Sequence, residues 1–146
     1  TGVPTLNTLY RALHEHRVFL EGTLLKPNMV LSGKDCPVQA GVAEVAAATV
    51  RTLRATVPAA VPGIVFLSGG QTAVVATEHL NAMNQMGPHP WELSFSYGRA
   101  LQDPPLNTWK GVAANVPAAQ KAFFQRSKLN GAARYGKYSA TMESAA

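Results

Sequence analysis

The chain contains one cysteine, Cys36, so no disulfide can close within it. The surrounding GKDCPV matches neither a CxxC pair nor a Cys/His metal pattern, and a free thiol fits a reducing compartment. Charge is scarce as well: only 14% of the residues are Asp, Glu, Lys or Arg. There is no dense basic run, no zinc-finger spacing and no RNP aromatic motif, which argues against a nucleic-acid partner. No apolar run approaches the roughly 18 residues that suggest a membrane span. The opening TGVPTLNTLYRALHEH lacks the charged start and apolar middle of a secretory signal. Histidines are scattered. His14 and His16 stand two apart on an expected helix and so diverge, while His79 and His89 stand alone, which leaves no ligand set for a metal. Walker A and GxGxxG patterns are missing, and Ser68 lies in no GxSxG elbow. These absences lead us to expect a soluble, cytoplasmic protein with no metal, no cofactor and no membrane or nucleic-acid partner.

The chain is rich in apolar residues. Its 146 residues are 47% hydrophobic, enough for one domain with a real core. A net charge of +5 favours anionic partners. Much of that excess comes from Lys121, Arg126, Lys128, Arg134 and Lys137, spaced along a helical pattern with Phe123, Phe124 and Leu129 as its apolar face. We expect these cations to form a solvated helix face.

Helical and strand patterns alternate. Leu6, Leu9, Tyr10 and Leu13 recur at i, i+3, i+4 and i+7 and predict a helix over residues 5–16. Residues 18–25 are a short apolar run stopped by Pro27, which predicts a first strand with Lys26 at its carboxyl end. After a loop containing Pro27, Gly33 and Pro37, the alanine-rich stretch 40–57 predicts a helix, with Arg51 and Arg54 near its end. GIVFL at 63–67 predicts a second strand buried on both faces. A helix over 71–86, with Val74, Val75, Leu80 and Met83 inward, leads to a third strand at 92–97. Met83 and Met86 are expected to fill core. Pro104 and Pro105 would open a short helix, and residues 116–133 a longer one with Pro117 in its first turn.

Helical crossovers of this length force the strands to run parallel. Three parallel strands with two exposed edges are not a comfortable finished fold. The expected fold class is therefore α/β, namely the last three β/α units of a (β/α)8 barrel followed by C-terminal helices, such a barrel needing about 250 residues. Residues 1–138 would belong to the barrel domain and 139–146 to an unstructured tail.

Ligands bind at the carboxyl ends of parallel strands. Those ends carry Lys26, then Ser68, Gly69 and Gly70, then Ser96, Gly98 and Arg99. Glycines let a backbone approach an anion, helix starts offer N–H groups, and an arginine supplies a fork matched to phosphate oxygens. SGG alone is a common turn, as is SYGR, but on consecutive strand ends they reinforce each other as a phosphate cradle. Lys26 has two readings. Its amine reaches water along a flexible stem, the reading burial rules favour, or it is held among apolar groups near a cation such as Arg99, neutral enough to attack a carbonyl.

LEGTLLKPNMV, GIVFLSGGQ and SFSYGRALQ resemble the hallmark stretches of class I fructose-1,6-bisphosphate aldolases, in that order and at about the family's separations. The resemblance extends over TVRTLRATVPAAVPG, HLNAMNQM and the GKY before Ser139. It implies a (β/α)8 barrel, no metal or other cofactor, a sugar-phosphate substrate, and a homo-oligomer, a homotetramer in the family. The implied activity is the glycolytic cleavage of fructose 1,6-bisphosphate to dihydroxyacetone phosphate and glyceraldehyde 3-phosphate. Lys26 would be the Schiff-base lysine, and Ser68, Gly69, Gly70, Ser96 and Arg99 would bind the phosphate of the dihydroxyacetone phosphate part.

The chain departs from the family pattern in two respects. Family chains are more than twice as long, with the acid/base glutamate, a second lysine and an aspartate upstream of the position of Thr1. The family's closing tyrosine has no counterpart, since Tyr138 falls too early. The first departure leads us to expect a segment of a larger enzyme, inactive when isolated. The competing readings are a non-catalytic anion- or protein-binding fragment and another Schiff-base barrel enzyme acting on sugar phosphates.

Overall fold

A computed structural model describes residues 2–144. The first helix, α1 (Gly2–Glu15), buries Tyr10 and packs Leu6 and Leu13 against the core, while Leu9 stays exposed at the edge of the apolar stripe. The chain then departs from the strand expected over 18–25. Only Leu24–Leu25 forms strand β1, because a 3-10 turn at Leu20–Gly22 takes the residues before it. Gly22 N–H donates to the Phe19 carbonyl, and both the N–H and the hydroxyl of Thr23 donate to the Leu20 carbonyl. With these groups satisfied locally, no ladder partner is needed before residue 24.

The helix α2 (Val42–Thr56), strand β2 (Gly63–Phe66), helix α3 (Ala73–Gln85) and strand β3 (Glu92–Phe95) follow close to their expected places. All pairing is parallel in the order β1-β2-β3, with Leu25 opposite Ile64 and Phe66 opposite Phe95. Ile64 and Phe66 are fully buried and Val65 half-buried, which accounts for the continuous apolar run of β2. They join Val45, Val50 and Leu53 of α2, Leu80 and Met83 of α3, and Leu93 of β3 in one cluster. Each such side chain contributes roughly 1.5–3 kcal/mol on burial. Of the methionine pair expected in the core only Met83 is there. Met86 caps the end of α3 and is 42% exposed.

Helix α4 (Arg99–Trp109) differs from expectation in where it starts. Pro104 and Pro105 lie inside it rather than at its opening. The N–H groups of Leu101 and Gln102 both return to the Gly98 carbonyl, so the helix is already nucleated at the end of β3. The two prolines then leave rungs of the ladder unmade in mid-helix.

Helix α5 (Val116–Arg134) has Pro117 in its first turn, as expected. Its buried face is Ala119, Arg126, Leu129, Asn130 and Ala133, whereas Phe123 and Phe124 are exposed. The expected solvated basic face is therefore wrong at Arg126. Its guanidinium turns inward and forms a fork with Glu143, Nη1 donating to Oε1 at 2.9 Å and Nη2 to Oε2 at 2.7 Å, with Nη1 also donating to the Thr77 hydroxyl at 3.1 Å. Pairing with a carboxylate replaces solvation there.

The same contact overturns the expected unstructured tail. Residues Ala140–Glu143 form a 3-10 turn, and the Tyr138 hydroxyl donates to Glu143 at 2.8 Å. Residues 145 and 146 of that expected tail lie outside the described residues. Among the described residues, no helix is long and apolar enough to cross a membrane.

Candidate active site at the strand ends

Because β1, β2 and β3 are parallel, their carboxyl ends share one edge. Backbone pairing continues slightly beyond the ladder: Leu67 N–H donates to the Pro27 carbonyl at 3.1 Å and Ser96 N–H to the Phe66 carbonyl at 2.8 Å. Extending the ladder's register, Lys26 stands level with Val65 and Ser94 while Ser96 stands level with Leu67, so Lys26 lies about three residues, roughly 10 Å, before Ser68 along the strands. With strands spaced about 4.8 Å apart, the β1 and β3 ends lie roughly 10 Å from each other. Ser68 is buried, Ser96 half-buried, and Lys26, Gly69, Gly70, Gly98 and Arg99 are exposed. The apolar shielding that the second of the two readings of Lys26 requires is thus not provided by the described residues.

The turn after β2 needs its glycines. Gly69 has φ 60° and Gly70 φ 81°, a region closed to most side chains. Space excludes a side chain at Gly69 as well, since a β-carbon would lie 3.0 Å from Asn28 Cγ and nearer still to its Oδ1. At Gly70 the neighbour is Arg99, whose Nη2 would stand 3.9 Å from a β-carbon. The arginine that starts α4 therefore reaches across to the turn that precedes α3. The N–H groups of Gly69 and Gly70 donate to no backbone carbonyl among the described residues. Thr72 caps α3 by accepting from Val75 N–H at 3.3 Å, while α4, with Gly98 at its N-cap, has no side-chain cap. Free donors and a cation are thus gathered at one point. Neither Lys26 nor Arg99 makes a salt bridge among the described residues.

Several residues that sequence reasoning missed support this edge. Asn28 covers Gly69. Gln71 accepts from His79 Nδ1 at 2.5 Å and donates through Nε2 to the Ser68 carbonyl at 2.9 Å and to Met29 Sδ at 3.5 Å. His79, expected to stand alone, is buried, and burial holds its pKa below the usual histidine range. Tyr97, inside the SYGR stretch, donates its hydroxyl to the Ala76 carbonyl at 2.7 Å and packs against Phe95, tying the end of β3 to α3. Burial pushes its hydroxyl pKa well up. No periodicity in the sequence announces any of these, because each partner sits on a different element. Among the described residues, no group of three or more His, Cys, Asp or Glu is placed to hold a metal.

Fold and site together define a parallel α/β protein with a donor-rich turn pair and a lysine on its strand-end edge. Residues 3–146 match the profile of the glycolytic family described as fructose-bisphosphate aldolase class-I, and the chain belongs to that family. It is 55% identical over 133 residues to the fructose-bisphosphate aldolase of Dictyostelium discoideum, covering 91% of this chain and 37% of that one. It is 57% identical over 134 residues to aldolase B of Sparus aurata, covering 91% of this chain and 37% of the relative. The Plasmodium falciparum fructose-bisphosphate aldolase, solved with TRAP and a small-molecule inhibitor, superposes with a TM-score of 0.92 at 51% identity, over 95% of this chain and 40% of that one. The chain thus spans little more than a third of the length of these curated relatives.

Proposed function

We propose that this chain acts as the C-terminal portion of a class I fructose-1,6-bisphosphate aldolase, residues 1–138 supplying the last three β/α units of a (β/α)8 barrel. The enzyme is a cytoplasmic, homotetrameric lyase of glycolysis. Lys26 is its Schiff-base lysine, and Ser68, Gly69, Gly70, Ser96 and Arg99 bind the substrate's C1 phosphate. The observation that carries the reading is the placement of Arg99 against Gly70 on the edge that also bears Lys26. A phosphate held by these donors brings the neighbouring ketone carbon toward the amine.

The chemistry follows from that placement. The neutral amine adds to the ketone carbon of the open-chain sugar, a C–N bond forms, and loss of water leaves a protonated imine. A base removes the proton of the C4 hydroxyl. The C3–C4 bond breaks, its electron pair flows into the imine, and glyceraldehyde 3-phosphate departs. The resulting enamine takes a proton at C3, and hydrolysis of the imine frees dihydroxyacetone phosphate and the lysine. Exposed apolar groups such as Phe19 and Leu24, at 72% and 64%, fit a chain whose β1 edge is covered by the other half of a barrel. That half also shields the amine.

The reading is tested by assaying cleavage of fructose 1,6-bisphosphate in the full-length enzyme carrying this sequence, with and without Lys26→Arg and EDTA. Activity that withstands EDTA and disappears in Lys26→Arg is expected. Activity that survives the substitution and is abolished by EDTA would overturn it. A light-scattering mass of four chains checks the assembly.

A further inference from the structure

The geometry points to Gln71 and His79 as positioning residues for the phosphate-binding turn, linking that turn to the segment that carries Lys26. This rests on the reading of Ser68–Gly70 as a phosphate cradle and assigns what sets its shape. Gln71 Nε2 faces two acceptors, the Ser68 carbonyl at 2.9 Å and Met29 Sδ at 3.5 Å, so it is the NH₂ end of the amide, and both its hydrogens are engaged. The carbonyl end then faces His79 at 2.5 Å. An amide oxygen only accepts, so His79 Nδ1 carries the hydrogen and donates it.

With all three contacts made, the amide cannot flip or swing. Its backbone N–H adds a second bond to the Ser68 carbonyl at 3.0 Å. That carbonyl, gripped twice, fixes the peptide plane it shares with the Gly69 N–H, and so the direction of that donor at the entry to the turn. Met29 is three residues beyond Lys26 and buried, so the same amide ties the lysine's segment to the cradle. His79, 3% exposed on α3, gives the arrangement a fixed base.

The test uses the full-length enzyme. His79→Leu removes the Nδ1 donor at similar volume, Gln71→Met keeps the length without the amide, and His79→Asn keeps a donor where Nδ1 stands. KM for fructose 1,6-bisphosphate is expected to rise about fivefold in either His79→Leu or Gln71→Met, the scale of one net hydrogen bond, since either change frees the same turn. Most of the loss should fall on KM rather than kcat. The double variant should be no worse than either single one, because the two residues act in series, and His79→Asn should recover most of the loss.

Arg99→Ala runs alongside as a probe of the cradle itself. If it raises KM while His79→Leu and Gln71→Met do not, the positioning role is wrong and the cradle stands. If it has no effect either, the cradle reading falls and this inference falls with it. Fully multiplicative losses in the double variant would also overturn the linkage. Should His79→Leu fail to fold, Gln71→Met at its half-buried site and His79→Asn decide the matter, an unchanged KM in Gln71→Met counting against it.

Discussion

Asn28 closes over Gly69 so tightly that a β-carbon there would lie 3.0 Å from its Cγ. The loop after β1 and the turn after β2 are thereby held against each other at the strand ends. Gly69→Ala should fail on two counts, since φ 60° costs a non-glycine residue roughly 1–2 kcal/mol and Asn28 must also move. We expect a loss of stability in urea unfolding together with weaker substrate binding. Adding Asn28→Ala should relieve the crowding but not the backbone strain. A Gly69→Ala enzyme with wild-type midpoint and KM would contradict this.

Arg99→Ala should raise KM for the bisphosphate and lower kcat/KM by more than tenfold, because a charge-assisted contact contributes roughly 1.5–3 kcal/mol. Steady-state kinetics with both parameters unchanged would remove Arg99 from the phosphate site.

The Arg126–Glu143 pair should matter for stability rather than catalysis. Arg126 is 9% and Glu143 23% exposed at the side chain, and the Tyr138 hydroxyl and Thr77 complete the network. Glu143→Ala leaves a buried guanidinium unpaired and should cost about 3 kcal/mol in denaturant unfolding. Replacing both partners by leucine should cost less than removing one. Equal or greater loss in the double variant would show that the ion pair is not the source of the stability.

Burial lowers the pKa of His79 below its ordinary 6.5, so between the folded and unfolded values the unfolded chain binds more protons. Its contribution is fully present above about pH 6.5 and is lost as pH falls through the lowered folded value. Stability measured from pH 7.5 downward should therefore decline more steeply in the wild type than in His79→Asn. Parallel slopes would show that His79 takes no part in the acid loss.

The elements legible in the sequence were those whose burial is one-sided or complete. GIVF gave β2 directly, the Leu6–Leu13 spacing gave α1, and Pro117 marked the start of α5. Where tertiary pairing overrides local pattern, reading failed. Phe123 and Phe124 look like an inner face until Arg126 takes that place with Glu143, and the apolar run before Leu24 looks like strand until the Leu20–Gly22 turn satisfies its own backbone. At the site, glycines and arginine at consecutive strand ends were visible because their chemistry is local. Asn28, Gln71 and His79 were not, since their importance lies in contacts between a loop, a turn and a helix.

The measurement that bears most directly on the central claim is reductive trapping. Borohydride added to the full-length enzyme with dihydroxyacetone phosphate should reduce the imine to a stable secondary amine and inactivate irreversibly. Peptide mapping should place the added mass on Lys26, within TLLKPNMV, and Lys26→Arg should abolish trapping and cleavage together. A label on Lys34 or Lys110, or no label while cleavage proceeds, would contradict the covalent role assigned to Lys26.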